Sequence, residues 1–457
     1  MKNFLFNKYT AYNYLKSQKQ VNDLLSYHKK YIDNKEYELI AKKIVKSYVS
    51  YHFPWRSLSS KYNILFHAKG VFNEEIIGAF SNSKEFKVYQ YQRSLNKVLA
   101  KYFFPEDITH FNYKESQLSD EIKKCFNFYN KILKYIKNKR KIDIIYSGNY
   151  GAFDESVLAR SAIHNDIKFV SFHKECVMSD GAQDFYYQVS KNGREKFNGT
   201  RILVYNKTTK KLLEKLNICE HNKIEICPMV RLDKCYDSRK KFVNNFRKFN
   251  RLAYFYIQPN NQLPSLYYNN FSFDKKILES EPSSWKNLNQ NTNKVIYDIA
   301  IHNPNLEVVV KCKFQDFYDC KKNFLELGVI PNNLKITYGQ TAFSLISISD
   351  VICSFNSTAI IEAVVSGKKV ISPYFDEASN IKFKKYLIDF GNLITKAHTT
   401  SDLKDLLLHN MTNTTIPNIN MNNDELDIVN YWTSNTDGLA NHKLRLKTKD
   451  IISHEKN

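Results

Sequence analysis

The chain has 457 residues, 43% of them hydrophobic, enough for two or three domains with sizeable cores. No run of about eighteen apolar residues occurs, and Met1–Lys16 is too polar and aromatic for a signal-peptide core, so neither a transmembrane helix nor a leader is expected and the chain reads as cytoplasmic. Lys and Arg exceed Asp and Glu by 68 to 46, a net +22 that attracts polyanions or the anionic inner face of a membrane, but no nucleic-acid-binding signature accompanies it, so nucleic acid is not an expected partner.

Residues 1–60 form a polar, aromatic extension in which Leu24, Leu25, Tyr31, Leu39, Ile40, Ile44 and Val45 recur at helical spacing until Pro54. A strict alternation follows. Strand-like runs at Tyr62–Ala68, Phe86–Gln92, Ile142–Ser147, Lys168–His173, Arg201–Tyr205 and Lys223–Cys227 are separated by amphipathic stretches such as Asn73–Phe80 and Leu118–Lys137. After the charged stretch Asp237–Asn250 comes a second series of strands: Leu252–Gln258, Glu307–Lys311, Lys335–Tyr338, Asp350–Ser354, Lys369–Pro373 and Asn392–Thr395. Helices are expected between them at Ser284–His302, Phe314–Leu327, Ala342–Ile348 and Thr358–Ser366. Short apolar runs alternating with helices signal parallel sheet with crossover helices. The expected fold is therefore α/β, two Rossmann-like domains in tandem (residues 61–240 and 241–410) behind a helical extension. Residues 411–457 begin Asn/Thr-rich and read as a loop followed by a polar segment with Tyr431 and Trp432. Ligands of such sheets bind beyond the carboxyl ends of the strands, which directs attention to the strand-end turns and the interdomain cleft.

The most informative turn is Ser354-Phe-Asn-Ser357-Thr358, which joins the apolar Val351–Cys353 to a helix closed by Gly367. A helix start carries unpaired N–H groups and the positive end of a dipole, and with neighbouring hydroxyls it cradles phosphate. Helix capping by Ser357 and a solvent-facing Glu362 are the alternative. Lys311 and Lys313 leave the end of another strand, where a lysine can meet phosphate or simply be solvated. Tyr338-Gly339 ends the next strand, and its glycine permits either close approach of a nucleotide or a plain turn. The eight cysteines form no Cys-X-X-Cys pair and read as buried thiols.

The stretch from Ser354 to Pro373 resembles the donor-site segment of GT-B glycosyltransferases, with its Ser/Thr turn, its glutamate one turn into the helix and its Gly-Lys-X-Val-Ile strand. The resemblance implies phosphate contacts from Ser354, Ser357 and Thr358 and a ribose contact from Glu362. Pro228-Met-Val-Arg231-Leu-Asp233 resembles the interdomain Gly-X-Pro-Arg-X-Asp signature of capsule and surface-carbohydrate synthesis proteins, related to polyol-phosphate transferases, although Pro228 and Val230 replace its glycine and proline. Gln258-Pro-Asn-Asn-Gln262-Leu-Pro264 is similar to a cleft loop of that group, with Ser265 where an acidic residue is usual. Lys313 stands where such proteins carry a His-Pro pair. The family implies a nucleotide-sugar donor, a glycan or glycolipid acceptor and, because no Asp-X-Asp follows a strand, no metal and no other cofactor.

An inverting transferase of this kind needs a base for the acceptor hydroxyl. In the first domain, Asp154 and Glu155 open a helix after the glycine-bearing turn Ser147–Gly151, while Phe172-His173-Lys174-Glu175 ends a strand and Met178–Gly181 continues as a loop. The candidate bases, in falling order, are Glu175, Asp180, His173 and Asp154, with helix capping or a solvated charge as the alternative for each. Three other readings remain open: a polyol-phosphate transferase, a sugar-nucleotide epimerase with a denser acidic and histidine set around the cleft, and a noncatalytic glycan- or membrane-binding scaffold.

Overall fold

The computed structural model describes residues 26, 29, 31–47, 49–52, 60–68, 72–80, 83–105, 108, 115–191, 196–264, 281–413 and 416–453. Residues 1–25 of the extension, Pro54 and Ser265 lie outside the described residues.

Two sheets organise the chain. In the first, β2 (Tyr62–Ala68), β3 (Phe86–Gln92), β4 (Ile144–Ser147), β5 (Lys168–Phe172), β6 (Arg201–Val204) and β7 (Ile224–Ile226) are parallel, and β1 (Val49–His52) pairs antiparallel with β3. The order is β1-β3-β2-β4-β5-β6-β7. The second sheet is wholly parallel: β8 (Arg251–Phe255), β9 (Glu307–Lys311), β10 (Leu334–Thr337), β11 (Val351–Cys353), β12 (Lys369–Pro373) and β13 (Thr395–Ala397), in the order β10-β9-β8-β11-β12-β13. These are the two Rossmann-like units expected from the alternation. Each sheet winds outward in both directions from one inner pair, β2/β4 in the first and β8/β11 in the second. Such a switch point opens a crevice at the carboxyl ends of its strands.

The helices before and within the first unit are α1 (Tyr37–Ser47), α2 (Phe72–Phe80), α3 (Arg93–Lys101), α4 (Ser119–Arg140), α5 (Phe153–His164), α6 (Asp180–Ser190) and α7 (Lys207–Lys215). Then come α8 (Asp233–Asn244), α9 (Lys286–His302), α10 (Phe317–Leu327), α11 (Ala342–Ile346), α12 (Thr358–Val365) and α13 (Thr400–Thr412). Two more, α14 (Asn423–Thr433) and α15 (Ala440–Ser453), close the described chain. Helices cover both faces of a parallel sheet, so its strands read as continuous apolar runs. Val308, Val309 and Val310 of β9, for example, are all buried. The eight cysteines are free and buried.

Three regions differ from the sequence reading. The extension is not helical throughout, because β1 adds an edge strand; Val49-Ser-Tyr-His alternates apolar and polar residues, the period of a strand. The segment Met178–Gly181 is not all loop: Ser179 caps α6, its hydroxyl accepting from Ala182 N at 3.3 Å, so Asp180 and Gly181 are helical. Residues 411–457 are not a loop with a polar tail, because α14 and α15 return to the first unit. The Tyr146 and Thr448 hydroxyls meet at 2.7 Å, and Arg445 Nη1 donates to Ala79 O at 2.6 Å. Asp233 anchors this return. Its carboxylate accepts from the backbone N–H of Ala440 (3.0 Å) and Asn441 (2.7 Å) at the start of α15, and from Asn435 Nδ2 (2.9 Å). Burial raises its pKa above the usual carboxylate range.

Candidate functional site

At the second switch point, β8 and β11 end in the loop Tyr256–Leu263 and the turn Ser354–Thr358. Asn356 lies in the left-handed region at φ 45°, a conformation a short polar side chain tolerates, and this turns the chain into α12. Asn261 Nδ2 donates to Asn356 O at 2.5 Å, tying the two loops together. Ser357 caps the helix, its hydroxyl accepting from Ala359 N at 3.2 Å. Ser357 and Thr358 keep part of their surface open, whereas Ser354 is fully buried and its hydroxyl has no hydrogen-bond partner.

Two lysines close the next strand end. Lys311 Nζ donates to Cys312 O (2.7 Å) and Tyr338 O (3.3 Å), and Lys313 Nζ donates to Gln258 Oε1 (2.5 Å). Gln258 also donates to Asp316. Desolvation by the surrounding loops lowers the pKa of both lysines, although Lys311 is half-buried and Lys313 exposed. Tyr338 is held edge-on by Phe314 (5.2 Å) and Phe317 (4.9 Å), with the half-buried Gly339 beside it.

The first unit reaches this crevice through the segment after β5. Gln262 Oε1 accepts from Ser179 N at 3.0 Å, and its amide donates to Val177 O at 3.3 Å. Glu175, exposed and 3.3 Å from Lys174 Nζ, is close enough to Lys313 for its charge to favour the ammonium form. Asp180 is exposed at the start of α6 and lines a cavity of about 850 Å³ with Tyr374, Lys384, Lys385, Asp389 and Lys396. Glu175 and Asp180 are thus brought to the open side, and His173 and Asp154 are not. His173 is buried edge-on against Tyr150 (5.2 Å).

Asp154 belongs to a buried network at the first switch point. Tyr91, His67, Ser147 and Ser171 are register partners across β3, β2, β4 and β5, and so stand side by side on one face of the sheet. Glu155, on the first turn of α5, accepts from Ser147 Oγ (2.7 Å) and Arg93 Nε (3.1 Å) and lies 3.7 Å from His67 Nδ1. Burial would raise its pKa, but His67 and Arg93 hold it down at about 2. Asp154 is raised by burial and by the Glu155 charge, with Asn96 Nδ2 donating to it at 3.3 Å. His67 Nε2, Tyr91 OH, Asp154 Oδ1 and Glu155 Oε2 are buried without a hydrogen-bond partner.

Arg231 couples the units. Its Nη1 donates to Glu75 Oε1 at 2.6 Å on α2, and its Nε faces Glu362 Oε1 at 3.0 Å on α12 as an ion pair without hydrogen-bond alignment. Tyr205 OH donates to Glu75 Oε2 at 2.8 Å. Glu362 is buried, not solvent-facing; burial raises its pKa and Arg231 opposes the rise. A ribose contact from Glu362 would compete with this ion pair. His67, Glu75, Arg93 and Asp316 escaped the sequence reading. The only local signal was a charged or histidine residue closing or adjoining an apolar run, which is equally common in solvated positions.

Among the described residues no group of three His, Cys, Asp or Glu side chains could hold a metal ion, and no helix is long and apolar enough to cross a membrane. No family model and no curated protein matches the chain. Among solved structures it is similar to the UDP-GlcNAc 2-epimerase from Neisseria meningitidis bound to UDP-GlcNAc: 11% identity, TM-score 0.46, covering 85% of this chain and 99% of that one. It is also similar to the wall teichoic acid polymerase TagF (9% identity, TM-score 0.45, 96% of this chain and 99% of that one). A third is the Methanocaldococcus jannaschii UDP-GlcNAc 2-epimerase in complex with UDP-GlcNAc and UDP (13%, TM-score 0.43, 85% and 99%). Likenesses this distant assign neither a family nor an activity.

Proposed function

We propose that the chain is a glycosyltransferase that moves a sugar from a nucleotide donor to a surface glycan or glycolipid, with inversion and without a metal. The observation that carries this reading is the second switch point. A helix start, a buried and unpartnered Ser354 hydroxyl and the Lys311/Lys313 strand end converge there, with Glu175 of the first unit beside Lys313. The acceptor oxygen attacks the anomeric carbon, and the bond from that carbon to the nucleotide phosphate oxygen breaks. The hydroxyl proton goes to Glu175 or Asp180, and the leaving nucleotide keeps the bonding pair. Lys313, Thr358 and the α12 amides stabilise the departing phosphate charge. The tight, ion-paired position of Glu362 makes it a support of α12 in this scheme.

A thermal-shift screen against nucleoside mono- and diphosphates, with and without magnesium, tests the donor site, because a ligand of the folded state raises Tm by mass action. A magnesium-independent rise that Ser357→Ala with Thr358→Ala abolishes is expected; no rise with any nucleotide refutes it. One observation favours a second reading, a sugar-nucleotide epimerase: His67, Asp154 and Glu155 together supply an acidic and histidine set at the other switch point. NMR of a nucleotide sugar incubated without acceptor separates the two, since an epimerase interconverts the sugar and a transferase leaves its configuration unchanged. Donors carrying a cyclic sugar or an open-chain polyol phosphate distinguish the transferase from the polyol-phosphate variant.

A further inference from the structure

Helix α6 separates two cavities. Its Asp180 end lines the cavity of about 850 Å³ described above, and Gln183, Asp184 and Tyr187 line another of about 680 Å³, walled on the far side by α7 and α14. Asp180 and Asp184 are one helical turn apart on one face, about 6 Å along the axis, so the cavities adjoin.

The far wall is unusual in its charge. Lys207, Lys211 and Lys215 recur four apart on α7, all exposed and all lining the cavity. On the same helix Lys210 is paired with Glu214 at 3.7 Å, but Lys207 and Lys211 have no carboxylate partner among the described residues. Like charges at this spacing destabilise a helix, so an unpaired row invites a counter-charge. The walls also carry aromatic surface: Lys215 Nζ sits 4.1 Å from the centre of the Tyr187 ring, and Tyr431 is 54% exposed. In the larger cavity Lys396 lies over Tyr374 (4.7 Å), and Lys384 has no carboxylate partner among the described residues. Its wall is clamped to the Ser354–Thr358 turn, since Asn356 Nδ2 donates to Tyr386 O (3.0 Å) and Asn356 Oδ1 accepts from Ile388 N (2.9 Å).

We infer that the two cavities form one track for a polyanionic saccharide chain, which runs along α7, passes α6 and delivers its end beside Asp180 at the donor turn. The inference rests on the transferase reading and names its acceptor: a glycan carrying carboxylates or phosphates. The lysines meet the anionic groups, the tyrosine rings receive sugar faces, and Asp184 and Asp427 accept sugar hydroxyls. The basic residues line concave walls, and a membrane would favour a flat face with apolar side chains to insert.

Binding of fluorescent polygalacturonate to the full chain, measured by anisotropy, tests the track. Dextran is the neutral control, and phosphatidylserine vesicles and oligothymidylate are the competing polyanions. Lys207→Glu with Lys211→Glu should weaken polygalacturonate binding at least tenfold, and added salt should weaken it in the wild type. Both positions are solvent-facing, and a carboxylate at the first residue of α7 suits the helix dipole, so the variant should fold. Its nucleotide-induced thermal shift should stay unchanged. Equal binding by variant and wild type, equal binding of dextran, or a lysine dependence seen only with vesicles or oligothymidylate overturns the track. Loss of the nucleotide shift in the wild type refutes the donor site instead, so the two failures are distinguishable.

Discussion

The two switch points occupy equivalent places in two similar sheets, and the chain treats them oppositely. Between β2 and β4 the crevice is filled from within by Arg93, His67, Ser147 and Glu155, with both carboxylates of the Asp154/Glu155 pair buried. At the second point, Ser357 and Thr358 after β11 and Lys311 and Lys313 at the end of the neighbouring β9 remain partly open. A carboxylate sealed in a core must be paired or take up a proton, because desolvation of the charge costs several kcal/mol. The first set should therefore be felt mainly in folding, and the second mainly in ligand binding.

The strongest way to break that contrast lies between the two points. Arg231→Met leaves both Glu75 and Glu362 buried without their cation, and should cost about 3–5 kcal/mol in urea unfolding. Adding Glu362→Gln should recover part of the loss; full stability in the single variant would mean that the ion pairs do not couple the units. Next, Glu155→Ala should destabilise by about 2 kcal/mol, since the half-buried Arg93 and the buried Ser147 hydroxyl lose their acceptor. If it still folds, it should keep the nucleotide-induced thermal shift. A variant that is fully stable but inactive would reverse the assignment and place chemistry at the first point. Lys313→Ala should do the opposite: unchanged unfolding, but nucleotide affinity lower by about tenfold, the range for losing one charged hydrogen bond.

The smallest effect concerns Lys368, which lies away from both crevices. Its Nζ is buried 3.5 Å from the centre of the Phe242 ring without a hydrogen-bond partner, and burial pushes its pKa down to about 8. The unfolded chain binds this proton more tightly than the folded one between pH 8 and about 10.5, so Lys368 makes stability rise with pH across that window. Lys368→Met should raise Tm by roughly 3 °C at pH 7, and the advantage should shrink toward pH 10.5. An advantage that does not change with pH would mean that packing, and not the buried charge, decides the effect.

Much of the architecture was legible before folding was considered. All six expected strands of the first unit form, and five of the second; the sixth, expected at Asn392–Thr395, is displaced, with a 3-10 turn over Gly391–Leu393 and β13 beginning only at Thr395. The bounds of β2, β3, β9 and β12 are the expected ones, because an apolar run covered on both faces is a local property of sequence. The Ser354–Thr358 turn was equally legible, since capping chemistry and the end of an apolar strand are adjacent along the chain. The return of α14 and α15 was not, because its anchor is Asp233, some two hundred residues away from the backbone it holds. Nor could Glu362 be read as the partner of Arg231, or His67 as the neighbour of Glu155. Those meetings follow from which strands pair and in what register, and a one-residue change of register would turn His67 to the opposite face. Local periodicity determined the two sheets and the donor-like turn; the burial and pairing of charges, and with them which switch point stays open, were decided only when distant strands closed on one another.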